Sequence, residues 1–265
     1  MASELLATSI DHNLHMSLAF RDFYTRTTEY DALTKWFEDN VAHKNNIKSM
    51  LCVGSGLGFD LTLASKVESL THVTMIDNNE AQLKAAVHTK SRENLTVEIK
   101  CLWFEEFIPS MQYDLVLFSH VLYYIPDRIA ALNKAISMLS DYGFILIFHQ
   151  TEKGINELQK LFNSTKHSYC FSDLKKDLET VNIVHDTDIV DSTVRIDTPT
   201  KELCDFFLEK NSSEDEYVRL SAHLNSLGTL LYHPCAIIII RRSLNKGIIS
   251  FDDRRQQTTR SAARG

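Results

Sequence analysis

The sequence lacks paired cysteine motifs and long apolar runs, and each absence excludes a class of protein. The five cysteines are scattered, odd in number and never spaced as CxxC, which argues against a disulfide framework and a zinc site. The residues before Asn13 include acidic side chains and no sustained apolar run, and no stretch is long enough to cross a bilayer. We therefore expect a cytoplasmic protein with no bound metal and no membrane partner.

The chain also lacks an excess of basic residues. Its 28 Lys and Arg against 35 Asp and Glu give a net charge of -7, whereas proteins that bind nucleic acids or anionic membranes usually carry a basic surface. No stripe of alternating aromatic and basic residues is present. A small-molecule ligand is favoured over nucleic acid. With 265 residues and 44% hydrophobic content, the chain suits one buried core, and we expect a single-domain monomer.

From Ser49 onward, short apolar runs alternate with amphipathic segments, which is typical of the strands and crossover helices of a doubly wound α/β sheet. The predicted strands are 50–54, 72–77, 95–102, 113–119 and 143–150. The predicted helices between them are 57–67, 79–92 and 126–139. Pro126 is expected in the first turn of the last of these helices, and Gly143 is expected to form the turn into the fifth strand.

The two ends of the chain are less regular. The spacing of aromatic residues predicts one or two helices within the first forty residues. The later segments predicted to be ordered are a strand over 181–190, a helix over 200–210, a polar loop over 211–216, a helix through 221–228 and a strand over 235–242. Residues 245–265 are basic and poor in apolar side chains, which predicts a disordered tail.

The segment LCVGSGLGFD is the strongest local motif, because Gly54, Gly56 and Gly58 follow a predicted strand and open a predicted helix. Glycine permits a tight turn and lets a ligand approach the backbone, although such turns also occur without a ligand. Asp77 ends the next predicted strand, where a carboxylate can bind ribose hydroxyls. An aspartate in that position can instead cap the next helix, but Asn78 or Asn79 can take that role.

The glycine spacing indicates which nucleotide-like cofactor is bound. Dinucleotide-binding loops read G-x-G-x-x-G/A, with a small third residue that packs the helix against the strand. Phe59 stands at that third position, and the glycines run G-x-G-x-G. This pattern favours S-adenosylmethionine over a nicotinamide dinucleotide. A dehydrogenase and a non-catalytic binding protein remain the alternatives.

Polar side chains follow the fourth and fifth predicted strands, where ligands lie in open α/β sheets. Ser119, His120 and Tyr124 come after the fourth strand, and His149 and Gln150 end the fifth. His120 could equally be a hydrogen-bonded core histidine, and Tyr124 could pack against its neighbouring tyrosine. We take Ser119, His120 and Tyr124 as candidate site residues.

The chain resembles the histamine N-methyltransferase family over most of its length up to about Ile240. The segments that carry the resemblance are DH…FRDFYTRTTEY, LCVGSGLGFDLTLASKV, DNNEAQL and VLYYIPD. The resemblance implies a Rossmann-like, seven-stranded class I methyltransferase fold that binds S-adenosylmethionine. It also implies a single domain over 1–244, composed of an N-terminal helical substrate cap (1–45), a cofactor-binding core (46–150) and a substrate lobe that completes the sheet (151–244).

The resemblance also assigns roles to individual residues. Gly54, Asp77 and Gln82 match cofactor contacts, to which the loop argument adds Gly56, and Ser119 matches the cofactor-facing position after the fourth strand. Glu29 matches the glutamate that holds the amine substrate, for which a solvated helix carboxylate is the alternative. His120 and Tyr124 fall on the substrate pocket. No residue is assigned a catalytic role, because methyl transfer depends on positioning.

The expected activity is methyl transfer from S-adenosylmethionine to a small amine or imidazole-type acceptor such as histamine. The chain differs from the family after the fifth predicted strand, where it reads TEKGINELQKLF instead of carrying tryptophans. It also differs at residues 232–235, where Tyr-His-Pro-Cys displaces a late asparagine. Other heteroaromatic or natural-product acceptors therefore stay open.

Overall fold

The computed structural model describes residues 18–43, 46–87, 92, 94–162 and 169–242. The predicted tail over 245–265 lies outside these residues. The chain divides into two compact units, and the single domain predicted over 1–244 stays a prediction. Unit 1 contains the described parts of Met1–Ala32, Gln150–Cys170 and Val190–Cys235, and unit 2 contains those of Leu33–His149, Phe171–Ile189 and Ala236–Gly265.

Helices and strands follow one another in the predicted alternation. The helices, numbered in chain order, are α1 (18–26), α2 (Glu29–Phe37), α3 (Phe59–Ser65), α4 (Glu80–Val87), α5 (Arg128–Met138), α6 (Ile155–Phe162), α7 (Phe171–Thr180), α8 (Lys201–Leu208) and α9 (Glu214–Leu227). A short π-helix, Glu38–Ala42, follows α2. The strands are β1 (Ser49–Val53), β2 (His72–Asp77), β3 (Thr96–Cys101), β4 (Tyr113–Ser119), β5 (Leu139–Gln150), β6 (Asp186–Val190), β7 (Thr193–Arg195), β8 (Leu230–Tyr232) and β9 (Cys235–Arg241).

The main sheet has seven strands in the order β3-β2-β1-β4-β5-β9-β6, which confirms the predicted fold class. Strands β1 to β5 pair in parallel along this order. All five residues of β1 are buried, as expected for a parallel strand covered on both faces. The strand order reverses between β1 and β4, and a crevice forms beyond the carboxyl ends of the strands at such a point.

Two predictions near β5 are wrong. The predicted turn at Gly143 lies inside β5, where the pairing with β4 shifts register. A Cβ at Gly143 would lie 2.7 Å from the carbonyl oxygen of Tyr113, so glycine permits a close approach at an irregular point of the sheet. Pro126 precedes α5 rather than lying in its first turn, because Asp127 is the N-cap and accepts a hydrogen bond from the Ala130 N–H at 2.9 Å.

The predicted bounds of two later segments, the loop over 211–216 and the strand over 181–190, are wrong. The loop predicted over 211–216 ends at Ser213, because Ser213 and Glu216 form a capping box that starts α9. The strand predicted over 181–190 is shorter, since only Asp186–Val190 joins the sheet. Within the described ranges, the helices lack the combination of length and apolar character that spanning a bilayer requires.

Unit 1 has a hydrophobic core of its own. Phe23 of α1 stacks on Phe206 of α8 with ring centroids 4.3 Å apart. Thr200 caps α8 by accepting a hydrogen bond from the Leu203 N–H at 3.1 Å. Strands β7 and β8 form a small antiparallel sheet against this core. The buried members of the cluster are Phe23, Ile155, Leu158, Val194, Ile196, Leu203, Cys204, Phe207, Leu208, Leu220, Leu224 and Leu231.

A carboxylate is buried in the first turn of α3 in unit 2. Asp60 is 1% exposed, and its Oδ2 has no hydrogen-bond partner among the described residues. Burial raises the pKa of Asp60 to about 7, hydrogen bonds from Ser55 and Cys52 act in the opposite direction, and the charge of Asp77 raises it further. Burial and the neighbouring Asp60 likewise raise the pKa of the Cys52 thiol. The Asp60 side chain therefore binds a proton more tightly in the folded chain than in the unfolded one.

Replacing Asp60 by Asn should stabilise the protein in a pH-dependent way. The pKa of an aspartate in an unfolded chain is about 3.9. The stability that protonation of Asp60 supplies is therefore complete below about pH 4 and is lost as the pH rises through about 7. Asp60→Asn has no carboxylate to ionise, so its melting temperature should exceed that of the wild type at pH 8, with a smaller difference at pH 5.

The measurement is thermal unfolding of both proteins at the two pH values. Asp141→Asn, at an exposed position of β5, is the matched control and should give the same difference from wild type at both pH values. A difference for Asp60→Asn that does not change with pH would contradict the interpretation.

Candidate functional site

The loop between β1 and α3 turns sharply at the carboxyl end of the sheet. The N–H groups of Gly54 and Ser55 both donate to the carbonyl oxygen of Ile76 in β2, at 2.8 and 3.1 Å. Gly54, Gly56 and Gly58 have φ angles of +69°, +48° and +88°. Because these angles lie in the left-handed region, the loop requires residues without a Cβ.

The three glycines of this loop are required for different reasons. A Cβ at Gly54 would lie 2.3 Å from Cγ2 of Val121, and one at Gly58 would lie 2.7 Å from the Cβ of Ala86. A Cβ at Gly56 would meet only Oε1 of Gln82, at 3.6 Å. Protein packing thus explains Gly54 and Gly58, whereas Gly56 borders open space. A ligand can approach the backbone there.

Asp77 joins this loop to the end of β2. Its Oδ2 accepts a hydrogen bond from the Gly56 N–H at 2.8 Å, and its Oδ1 accepts one from the Asn79 N–H at 2.8 Å. Each carboxylate oxygen has a second lone pair, so the same side chain can also accept hydrogen bonds from a ligand. The alternative in which Asp77 itself caps α4 gives way to Asn79, whose Oδ1 accepts from the Gln82 N–H at 3.2 Å.

Gln82 lies in the first turn of α4 with its side chain partly buried beside the loop. The structure therefore brings together four of the predicted cofactor residues, namely Gly54, Gly56, Asp77 and Gln82. The fifth, Ser119, ends β4. Since Val53 of β1 pairs with Phe118 of β4, Gly54 and Ser119 leave neighbouring strands side by side.

His120 and Tyr124 lie on the turn that follows β4. His120 has a φ of +52°, which is uncommon for a residue other than glycine. Its backbone N–H donates to the carbonyl oxygen of Phe148 at 3.0 Å. Tyr124 is 62% exposed, and its ring packs edge-on against that of Tyr123 with ring centroids 4.5 Å apart. The turn thus places an imidazole and an exposed phenol immediately beyond the strand end.

Glu29 lies in unit 1 as the first residue of α2. Its N–H donates to Oγ1 of Thr27 at 3.1 Å, and its side chain is 2% exposed. Oε2 of Glu29 lies 3.2 Å from Nε2 of His233. The alternative of a solvated helix carboxylate is therefore wrong.

Sequence reasoning misses three of the residues that form these arrangements. His233 stands out in the sequence only as part of a segment that differs from the histamine N-methyltransferase family, and no local pattern connects it to Glu29. Asp60 resembles an ordinary acidic residue in the first turn of a helix, so the sequence does not indicate its burial. The residues next to Gly58 likewise do not indicate that Gly58 packs against α4. The small side chain of Ala86 in the predicted helix 79–92 is the signal available for that contact.

Comparison with known proteins agrees with this architecture. The family described as "Methyltransferase domain" matches residues 44–203, which is more than half of the chain. No curated protein sequence matches. Among solved structures, the YcgJ protein from Bacillus subtilis is 15% identical with a TM-score of 0.58, and the alignment covers 81% of this chain and 99% of that protein.

A second structure has the same fold at similar distance. The plantazolicin methyltransferase BpumL, solved in complex with a triazolic desmethyl-plantazolicin analogue and S-adenosylhomocysteine, is 15% identical with a TM-score of 0.53. That alignment covers 91% of this chain and 99% of BpumL. At such identities the likeness concerns the fold alone. The match over residues 44–203 shows that the chain belongs to the methyltransferase-domain family.

Proposed function

We propose that the protein transfers a methyl group from S-adenosylmethionine to a small amine or imidazole-type acceptor, of which histamine is one example. The observation that carries the cofactor assignment is Gly56. Its backbone lies at the switch point of the sheet, and a Cβ there would meet only the end of the Gln82 side chain, at an ordinary contact distance of 3.6 Å. The family supplies the reaction type, and the presence of S-adenosylhomocysteine in BpumL supports the choice of donor.

The residues of the loop would hold the donor in one orientation. Gly54 forms the turn that starts the loop, Gly56 and Gln82 border the space beside it, Asp77 has lone pairs for ribose hydroxyls, and Ser119 leaves the adjacent strand. The bound donor supplies an electrophilic methyl group on a sulfonium, which an acceptor nitrogen can take in one displacement. No covalent enzyme intermediate is required, so the chain contributes orientation and exclusion of water.

Glu29 is the proposed anchor for the amine of the acceptor. A buried carboxylate is costly unless charge and hydrogen bonds compensate it, and a protonated amine provides both. His120 and Tyr124, on the turn after β4, are the residues proposed to contact the rest of the acceptor, as the resemblance implies. The resemblance to the histamine N-methyltransferase family motivates this acceptor class.

The decisive experiment is an acceptor screen with purified protein and S-adenosylmethionine labelled in its methyl group. Small amines, imidazoles and other azoles are incubated singly, and mass spectrometry detects one added labelled methyl. We expect at least one amine or imidazole to gain it. Measurable affinity for the donor without transfer to any small acceptor would overturn the acceptor class, and no affinity for the donor or S-adenosylhomocysteine would overturn the proposal entirely.

Gly56→Ala should weaken donor binding and should lower the melting temperature only modestly. The new Cβ occupies the open space beside the loop, so the dissociation constant for S-adenosylmethionine should rise about tenfold or more, equivalent to about 1.4 kcal/mol. The strain of a left-handed alanine is about 1–2 kcal/mol, which predicts a loss of only a few degrees in melting temperature. Calorimetric titration and thermal unfolding measure the two effects.

Gly228→Ala is the matched control, because Gly228 also has a positive φ, +101°, and nothing lies within 4 Å of the position that a Cβ would occupy there. This variant should lose stability while keeping donor affinity. Equal donor affinity for Gly56→Ala and wild type would show that the open space is not the donor site.

Glu29→Gln should lower kcat/KM for the best amine acceptor from the screen. Loss of a hydrogen bond to a charged group costs about 1.5–3 kcal/mol, so the decrease should be about tenfold to a hundredfold. Donor affinity should stay within about twofold of wild type, as measured by calorimetry. Glu214→Gln, at the exposed first position of α9, is the control and should leave both quantities unchanged; an unchanged kcat/KM for Glu29→Gln would remove the anchoring role.

A further inference from the structure

A buried acid–imidazole pair in unit 1 connects the start of α2 to the segment after β8. The Glu29 and His233 side chains are 2% and 4% exposed, and the two atoms Oε2 and Nε2 lie 3.2 Å apart. Breaking such a pair by removing one partner is costly, because the other is left buried. Removing the imidazole would therefore change the surroundings of the Glu29 carboxylate.

Contacts on several sides fix the position of His233. Its backbone N–H donates to the carbonyl oxygen of Ser192 at 2.9 Å, and its backbone carbonyl oxygen accepts a hydrogen bond from the Ser192 hydroxyl. The ring packs edge-on against Phe23 with centroids 6.0 Å apart. A Cβ at Gly154 would lie only 2.7 Å from Nδ1, so the backbone of Gly154 closes another side of the ring. The imidazole is held in place beside Glu29.

The two ring nitrogens of His233 have different surroundings. Nε2 lies 3.2 Å from Oε2 of Glu29, so an N–H there can donate to that carboxylate. Nδ1 is buried and has no hydrogen-bond partner among the described residues. Within the described part of the chain, the polar contact of the ring is therefore the one with Glu29.

We propose that His233 is a positioning residue that determines acceptor specificity: it donates a hydrogen bond to Glu29 and holds that carboxylate in the orientation that binds acceptors with a cationic nitrogen. This inference rests on the proposed function, in which Glu29 binds the acceptor. The cationic nitrogen has no lone pair and cannot attack the methyl group. The selected acceptors therefore contain a protonated amine together with a separate, neutral nitrogen that becomes methylated.

The first test compares two acceptors on wild-type protein. The best amine acceptor from the screen is measured beside its analogue in which a methyl group replaces the amine that is not methylated. We expect kcat/KM to be at least about tenfold higher for the amine, the size of one hydrogen bond to a charged group. Equal values for the two compounds overturn the inference and leave methyl transfer to small acceptors intact.

The second test changes His233 itself. His233→Gln keeps a neutral donor and should retain the preference for the amine. His233→Phe removes the donor and should raise KM for the amine about tenfold or more with a smaller change in kcat, so that the preference is lost. His43→Gln, at an exposed position after the π-helix, is the control and should leave KM and kcat unchanged.

The outcomes separate the two proposals. A preference that persists in His233→Phe overturns the role of His233, whereas donor binding without transfer to any small acceptor overturns the proposed function and this inference together. Should thermal unfolding show that His233→Phe does not fold, His233→Leu provides a smaller side chain that also cannot donate. The comparison of the two acceptors on wild-type protein decides the charge requirement in either case.

Discussion

The carboxylate of Asp77 holds the loop after β1 in place, because its two oxygens accept the N–H groups of Gly56 and Asn79. One side chain at the end of β2 thereby connects the turn that opens α3 with the turn that opens α4. Parallel strands carry these turns to the same edge of the sheet. The position of Gly56 depends on this bracing, because the other hydrogen bonds of the loop are made by its neighbours Gly54, Ser55 and Gly58.

Local signals in the sequence are sufficient to predict the strands β1 to β4 and the crossover helices α3, α4 and α5 of unit 2. The apolar runs of β1, β2 and β4, the glycine loop and the capping residue Asn79 are each encoded within a few neighbouring positions. The start of β5 cannot be predicted in this way. Gly143 reads as a turn residue, and only the pairing of β5 with Tyr113 and Leu115 reveals an irregular strand there.

The candidate site is predictable to the extent that one element supplies its residues. Gly54, Gly56 and Asp77 follow from strand ends and glycine spacing, whereas the pairing of Glu29 with His233 joins positions far apart in sequence. The same limit applies to Gly58, whose requirement arises from Ala86 on another helix. A local motif predicts which backbone groups face a ligand, but it does not predict which distant side chain packs against the motif or forms a hydrogen bond with a buried carboxylate.

The buried carboxylates of Asp60 and Glu29 are accommodated in opposite ways. Asp60 lies among weak donors, so burial raises its pKa to about 7 and the group can become neutral by binding a proton. Glu29 faces an imidazole that is held by its neighbours and can donate a hydrogen bond to the carboxylate. A carboxylate that takes up a proton contributes little to recognition of a cation, whereas a hydrogen bond from a fixed donor holds a carboxylate at a defined position. This contrast is the physical reason to place acceptor recognition at Glu29 and a structural role at Asp60.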